Sequence, residues 1–227
     1  AELGIFRRAL PDLKDTIYQT IVEHIDGSEI VIDGIKDTMR EGVHYSLNST
    51  RASIDFCNGS YIGAGYWADK KYRRLRSKPY SCGIIEELTE NSNEECEGFY
   101  PEVLSRIGRV NEINAGVKEN WLLTLTNPEG ESHWGYNYFI LNPEKVFNRK
   151  VFYSLTEQNP FLPKTYIESL RRSLTPIQAR RKLRGEWIDD ASDKIYSCYD
   201  RTVHYKDEIY KINHALPIHL SWDFNIG

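Results

Sequence analysis

The sequence predicts an α/β fold built on an open, mostly parallel sheet with flanking helices. Two patterns carry that expectation: short apolar runs alternate along the chain with segments of helical period, and several of those runs stop at paired polar residues. The composition agrees, with 227 residues, 40% apolar, 12% aromatic and 27% charged, enough for one large domain, or one domain plus part of another, with a real core. Fifteen glycines and nine prolines exclude a collagen-like, low-complexity or wholly disordered chain. The formal charge of −4 excludes a uniformly basic nucleic-acid binder, so any such contact must come from local clusters. No run approaches the roughly 18 apolar residues of a membrane span, and the opening residues lack the order of a signal peptide. Cys57, Cys82, Cys96 and Cys198 lie far apart with no C-x-x-C pair, which fits neither a disulfide framework nor a zinc site. The expectation is a soluble, unexported protein in a reducing compartment.

Leu13, Ile17, Ile21 and Ile25 recur every fourth position, with Pro11 suited to a first turn and Gly27 to a stop, so residues 10–25 predict an amphipathic helix. Ser53-Ile54-Asp55-Phe56 and Tyr61-Ile62-Gly63 flank Asn58-Gly59, the dipeptide best suited to a tight turn, and predict a β-hairpin. Cys82-Gly83-Ile84-Ile85 reads as a strand buried on both faces and ending at Glu86-Glu87. Polar residues 91–95 open a helix that carries Val103, Leu104 and Ile107. Trp121-Leu122-Leu123-Thr124-Leu125 predicts a strand stopped by Thr126-Asn127-Pro128-Glu129-Gly130, and residues 151–155 predict another. Residues 164–172 form a helix, and a second runs from Pro176 to Leu183 with Thr175 as its cap. After Trp187 a linker-like stretch leads to Ile218-His219-Leu220-Ser221-Trp222-Asp223-Phe224, a fresh strand. No internal repeat occurs.

In an open parallel sheet, ligands bind outside the carboxyl ends of the strands, which is where Glu86-Glu87 and Thr126-Asn127 fall. Two carboxylates after a buried strand suit phosphate-anhydride hydrolysis, one toward a metal shell and one toward the attacking water. The same dipeptide also occurs at solvated strand ends, and Thr-Asn before proline also makes simple turns. Trp134 and Trp187 read as core anchors, and His133 and His219 as packed or surface residues.

Several segments in one order resemble the large subunit of double-stranded-DNA phage terminases, the ATP-driven packaging motors. Gly83-Ile84-Ile85-Glu86-Glu87-Leu88-Thr89-Glu90 resembles that family's Walker B strand, and Leu125-Thr126-Asn127-Pro128-Glu129-Gly130 with His133-Trp134 resembles its coupling motif. Asn159-Pro160-Phe161-Leu162-Pro163 through Leu183-Arg184-Gly185-Glu186-Trp187 resembles the segment that closes the ATPase domain. Trp222-Asp223-Phe224-Asn225 resembles the first strand of an RNase H-like nuclease. The resemblance implies a P-loop (ASCE) ATPase sheet over residues 1–187, a linker and start of a second domain over 188–215, and the first nuclease strand over 216–227.

It further implies ATP and Mg²⁺ at the first site, with Glu87 as general base and Glu86 acting on the ion through water. Thr126 and Asn127 would sense the γ-phosphate. Asp223 would be one ligand of a nuclease metal pair, Mg²⁺ or Mn²⁺. Basic residues gather at Lys70, Lys71, Arg73, Arg74, Arg76 and Lys78, and again at Arg171, Arg172, Arg180, Arg181, Lys182 and Arg184. By residue type alone these are solvated helix faces. By resemblance Arg76 is an arginine finger reaching a neighbouring subunit, with Arg106 and Arg109 as competitors, and Lys70, Lys71, Arg73 and Arg74 lie along DNA.

No G-x-x-x-x-G-K-[ST] loop occurs in the sequence. The expectation is therefore a segment of a longer protein, weak in nucleotide binding and unable to cut DNA by itself. The implied partners are double-stranded DNA, the portal protein of the procapsid, a small terminase subunit and further copies in a ring. No membrane is implied, and the place of action is the host cytoplasm, with transient docking on the viral procapsid. Two rival readings are a helicase-like DNA-dependent ATPase and a non-catalytic DNA- or portal-binding module.

Overall fold

The computed structural model describes residues 1–68, 72, 75, 78–109, 119–142, 149–189 and 203. All but the last lie in one compact unit, Ala1–Asp190. Its frame is a six-stranded sheet in the order β4-β5-β6-β1-β7-β8. The strands are β1 (Glu2–Arg7), β4 (Tyr45–Asn48), β5 (Ser53–Phe56), β6 (Tyr61–Tyr66), β7 (Cys82–Glu86) and β8 (Leu122–Leu125). Pairs β6–β1, β1–β7 and β7–β8 are parallel, while β4–β5 and β5–β6 are antiparallel. The predicted open, mostly parallel sheet is present. The Asn58-Gly59 hairpin is present as well, but with a longer loop than the two-residue turn: the Gly59 N–H donates to the Phe56 carbonyl, and Gly59, not Asn58, takes the positive φ, +78°.

Strand β1 was not among the expected elements, yet it is the centre of the sheet. Its successive residues Ile5 and Phe6 point to opposite faces and anchor two cores. Phe6 packs with Trp67, Ile85, Phe99 and Val103 under helix α3 (Asn93–Leu104). Ile5 packs with Leu13, Tyr18, Met39 and Ile54. The ring of Phe6 occupies space that side chains on Gly4, Gly65 and Gly83 would fill, so glycines in three adjacent strands let one aromatic ring lie against the sheet. The fully buried phenyl group stabilises the unit by roughly 2–3 kcal/mol.

The helix expected over 10–25 forms, with an interruption: α1 (Leu10–Leu13) passes through a π-helical turn (Lys14–Tyr18) into α2 (Gln19–Ile25). A small antiparallel hairpin, β2 (Glu29–Ile32) and β3 (Ile35–Thr38), follows. Its turn, Asp33-Gly34 with φ of +51° and +80°, is the other strong hairpin dipeptide in the chain and went unread in the sequence. Helix α3 is closed by a Ser92/Glu95 capping box and ends at Leu104, so Ile107 lies beyond it, bridged to Tyr80.

Residues 151–155 do not form the expected strand. Val151, Phe152 and Tyr153 are 43%, 82% and 60% exposed, and among the described strands none pairs with them. β-rich composition needs a partner edge to become a strand, and this segment lies on none. Beyond α4 (Trp134–Tyr136), helices α5 (Lys164–Ser173) and α6 (Pro176–Arg184) form where expected, the latter with the Thr175 cap and Gly185 in the left-handed conformation after it. Among the described residues, no helix is long and apolar enough to cross a membrane.

Candidate active site

Glu86 is the last residue of β7, so its carboxylate leaves the sheet at the carboxyl end of a central strand. The chain turns at once: Glu87 adopts φ +52°, ψ +56°, a left-handed conformation that costs a non-glycine residue about 1 kcal/mol. The turn is braced from below by buried Asn91. Its amide donates to the carbonyl of Leu88 at 3.0 Å and of Glu87 at 3.4 Å, and its Oδ1 accepts from the Trp67 indole at 2.9 Å. The strained backbone is thus anchored to the core, which fixes where the Glu87 carboxyl points.

The electrostatics of this corner are crowded. Burial pushes the Glu87 carboxyl above the ordinary glutamate range, and the negative charges of Glu90 and Glu86 push it further. Arg7 and a hydrogen bond from the Asn127 side chain pull it back. A carboxyl so raised is a better proton acceptor than a solvated one.

The tip of β8 lies beside this corner, because Glu86 pairs with Leu125 in parallel register. Thr126 Oγ1 accepts from the backbone N–H of Thr89 at 3.0 Å and lies 2.8 Å from Thr89 Oγ1; Thr89 Oγ1 also donates to the Asn127 carbonyl at 3.0 Å. Glu86, Glu87, Thr126 and Asn127 are therefore brought together by the fold. His133 and Trp134 follow the same strand. His133 is buried, with Nε2 donating to the Asn91 carbonyl at 2.9 Å and Nδ1 accepting from Gly135, a packed histidine. Trp134 stacks on Tyr138, and Trp187 lies against His133, so both tryptophans serve as anchors.

Three partners of the corner were missed in the sequence. Arg7, at the end of β1, reaches Glu86 and Glu90; Thr16, in the π-helical turn, reaches Glu86; Thr89 links the two strand tips. The rule applied to β7 would have found the first, since Leu3-Gly4-Ile5-Phe6 is a short apolar run that stops at Arg7-Arg8.

Lys70, Lys71, Arg73, Arg74, Arg76 and Asp223 lie outside the described residues. Arg106 and Arg109 fall at the opposite end of the sheet: the Arg106 carbonyl accepts from the Tyr80 N–H, which precedes β7, about 20 Å of extended chain from Glu86. They cannot serve the Glu86–Glu87 corner of their own chain. Much of the second basic cluster is spent within the fold, with Arg171 on Glu157, Arg180 on Glu186 and Arg181 on the Ile188 carbonyl.

Among the described residues no group of three or more His, Cys, Asp and Glu side chains could hold a metal by itself. Magnesium delivered with phosphates needs only one or two protein carboxylates, and the carboxylates at this corner are Glu86, whose Oε2 meets Arg7 and Thr16, and Glu87.

No family model matches the sequence, and no curated protein matches it. Solved structures do. The large terminase of a thermophilic bacteriophage, in its second crystal form, superposes with a TM-score of 0.59 at 15% identity, covering 82% of this chain and 41% of that one. The chain has a large-terminase-like fold. The same terminase in complex with ADP gives 0.58 at 15% identity, and in complex with ATP-γ-S 0.53 at 12% identity, each covering 82% of this chain and 40% of that one. The chain spans about two-fifths of the length of these terminases.

Proposed function

We propose that this chain is the ATPase region of a phage packaging motor, in which hydrolysis at the Glu86–Glu87 corner drives double-stranded DNA into a procapsid. The observation that carries the reading is the placement of Glu87. It sits in a strained turn at the carboxyl end of a central parallel strand, bonded to Asn127 of the neighbouring tip, within a terminase-like sheet. The nucleotide complexes of the thermophilic phage's terminase support ATP as the substrate.

Water attacks the γ-phosphorus while the Glu87 carboxylate accepts its proton, and the bond to the ADP oxygen breaks to release phosphate. Glu86 would hold magnesium through water; the ion, when bound, neutralises charge on the β- and γ-phosphates. Loss of the γ-phosphate is felt at Thr126 and Asn127, because Asn127 is tied to Glu87 and Thr126 to Thr89.

Arg76 acts in trans on the neighbouring subunit of a ring docked on the portal. Lys70, Lys71, Arg73 and Arg74 face DNA, a small terminase subunit delivers the DNA, and Asp223 belongs to a nuclease that cuts it. In the parent polypeptide carrying a phosphate loop, Glu87→Gln should lower DNA-stimulated phosphate release by about 10²- to 10⁴-fold while ATP-γ-S still binds. An unchanged rate overturns the assignment.

A further inference from the structure

One group at this corner has more partners than the hydrolytic reading uses. Arg7 ends β1 beside the end of β7, where Phe6 pairs with Ile85, and its side chain is 11% exposed. Nε and Nη2 meet both oxygens of Glu90, at 3.3 and 2.7 Å. Nη1 donates to Oε2 of Glu86 at 3.1 Å and to Oγ1 of Thr16 at 2.9 Å. Thr16 Oγ1 lies 2.9 Å from that same Glu86 oxygen and 2.7 Å from the Asp12 carbonyl, so its place is set by its own helix. Every nitrogen of the guanidinium is engaged, and the two carboxylates it holds, Glu86 and Glu90, bracket Glu87.

We propose that Arg7 and Thr16 are positioning residues for the acidic strand end: together they pin Glu86, and Arg7, by holding Glu90 as well, closes the turn that presents Glu87. The inference rests on the hydrolytic reading of Glu87 and extends it to residues from a different strand and helix. Stability alone is a poor reason for such a cluster, because a shielded ion pair is often replaced by apolar packing without loss. Geometry is the better reason. A flat fork with three engaged nitrogens fixes two carboxylates relative to each other, which a lysine ammonium cannot do. The neighbouring Arg8 does not duplicate it, being paired with Glu95. The π-helical turn at Lys14–Tyr18 contains Thr16, and such turns recur where a helix must aim a side chain at a site. A cleft of about 540 Å³ lined by Arg7, Thr16 and Glu90 leaves the network open to small solutes.

The test uses the parent polypeptide with its phosphate loop, and Glu87→Gln as the reference. Arg7→Lys and Thr16→Val should each lower kcat for ATP by about 10- to 100-fold, with KM and ATP-γ-S affinity changed less than about threefold. Thr16→Val should lower the melting temperature by no more than about 3 °C, the effect of one lost hydroxyl, which separates misplacement from misfolding. Arg7→Gly should regain about tenfold in turnover with millimolar methylguanidinium and not with methylammonium, a rescue that a merely structural residue would not show. If Arg7→Lys and Thr16→Val turn over as the parent does while Glu87→Gln is inactive, the positioning inference falls and the hydrolytic reading stands. A rise in KM with kcat unchanged also overturns it, since Arg7 would then contact nucleotide. If Glu87→Gln itself retains full turnover, the reading beneath it falls first.

Discussion

The carboxyl ends of β7 and β8 are neighbours in one sheet, and they are held by different physics. The β7 end is charged: Glu86, Glu87 and Glu90 crowd one guanidinium, the backbone is strained, and the pieces come from positions 7, 16 and 86–91. The β8 end is neutral: Thr126 and Asn127 are held by hydroxyl, carbonyl and amide bonds to the turn that follows β7. The charged tip is costly to assemble and fixed in place, while the neutral tip hangs on bonds of about 1 kcal/mol each. That asymmetry suits the proposed motor, in which one strand end would hold a reacting group still and the next would shift when a phosphate leaves.

The comparison breaks most visibly at Arg7. Arg7→Met leaves Glu86 and Glu90 without their cation in a shielded corner, a change that costs about 3–5 kcal/mol where burial is complete. Glu90 is 43% exposed and screened by water, so urea denaturation should show a loss of about 2–3 kcal/mol. A loss below about 0.5 kcal/mol would mean that the corner behaves as ordinary surface. Adding Glu86→Leu should restore part of the loss, because the two residues act as one unit.

At the neutral tip the effects are smaller and unequal. Thr126→Val removes the acceptor of the Thr89 N–H and leaves a half-shielded donor unmatched, for about 1–2 kcal/mol. Thr89→Val removes only a hydroxyl, and Thr126 still accepts the backbone N–H, so the loss should be about half as large. Equal losses would show that the hydroxyl pair, and not the backbone bond, ties the tips together.

How much of this was legible follows from the same contrast. The Glu86-Glu87 and Thr126-Asn127 ends, the Asn58-Gly59 hairpin and helix α6 with its Thr175 cap are local patterns, and each formed where its residues predicted. The central strand went unread although Leu3-Gly4-Ile5-Phe6 before Arg7-Arg8 has the same pattern as β7, and its glycines make sense only with Phe6 lying over them. Residues 151–155 have strand composition, but pairing is decided by an edge that no local pattern encodes. Arg7 and Thr16 belong to the site through a register 79 and 70 residues away in sequence, which only the folded sheet supplies.

The smallest expected effect has the opposite sign. The Glu87 carboxyl lies above the ordinary glutamate range in the folded chain, chiefly through burial and then through Glu90, so folding favours its protonated form. Its favourable contribution is complete below the unfolded glutamate value and is lost as pH rises through the raised folded value. Above that window the ionised group opposes folding. Glu87→Gln removes the charge and keeps the shape, so at neutral pH it should raise the melting temperature by about 1–3 °C. The gain should shrink to nothing below about pH 3, where the wild-type carboxyl is protonated in both states. A melting temperature that falls at neutral pH would mean that the Asn127 bond to the carboxylate outweighs the crowding. In that case the two strand tips would be coupled more tightly than their different chemistry suggests.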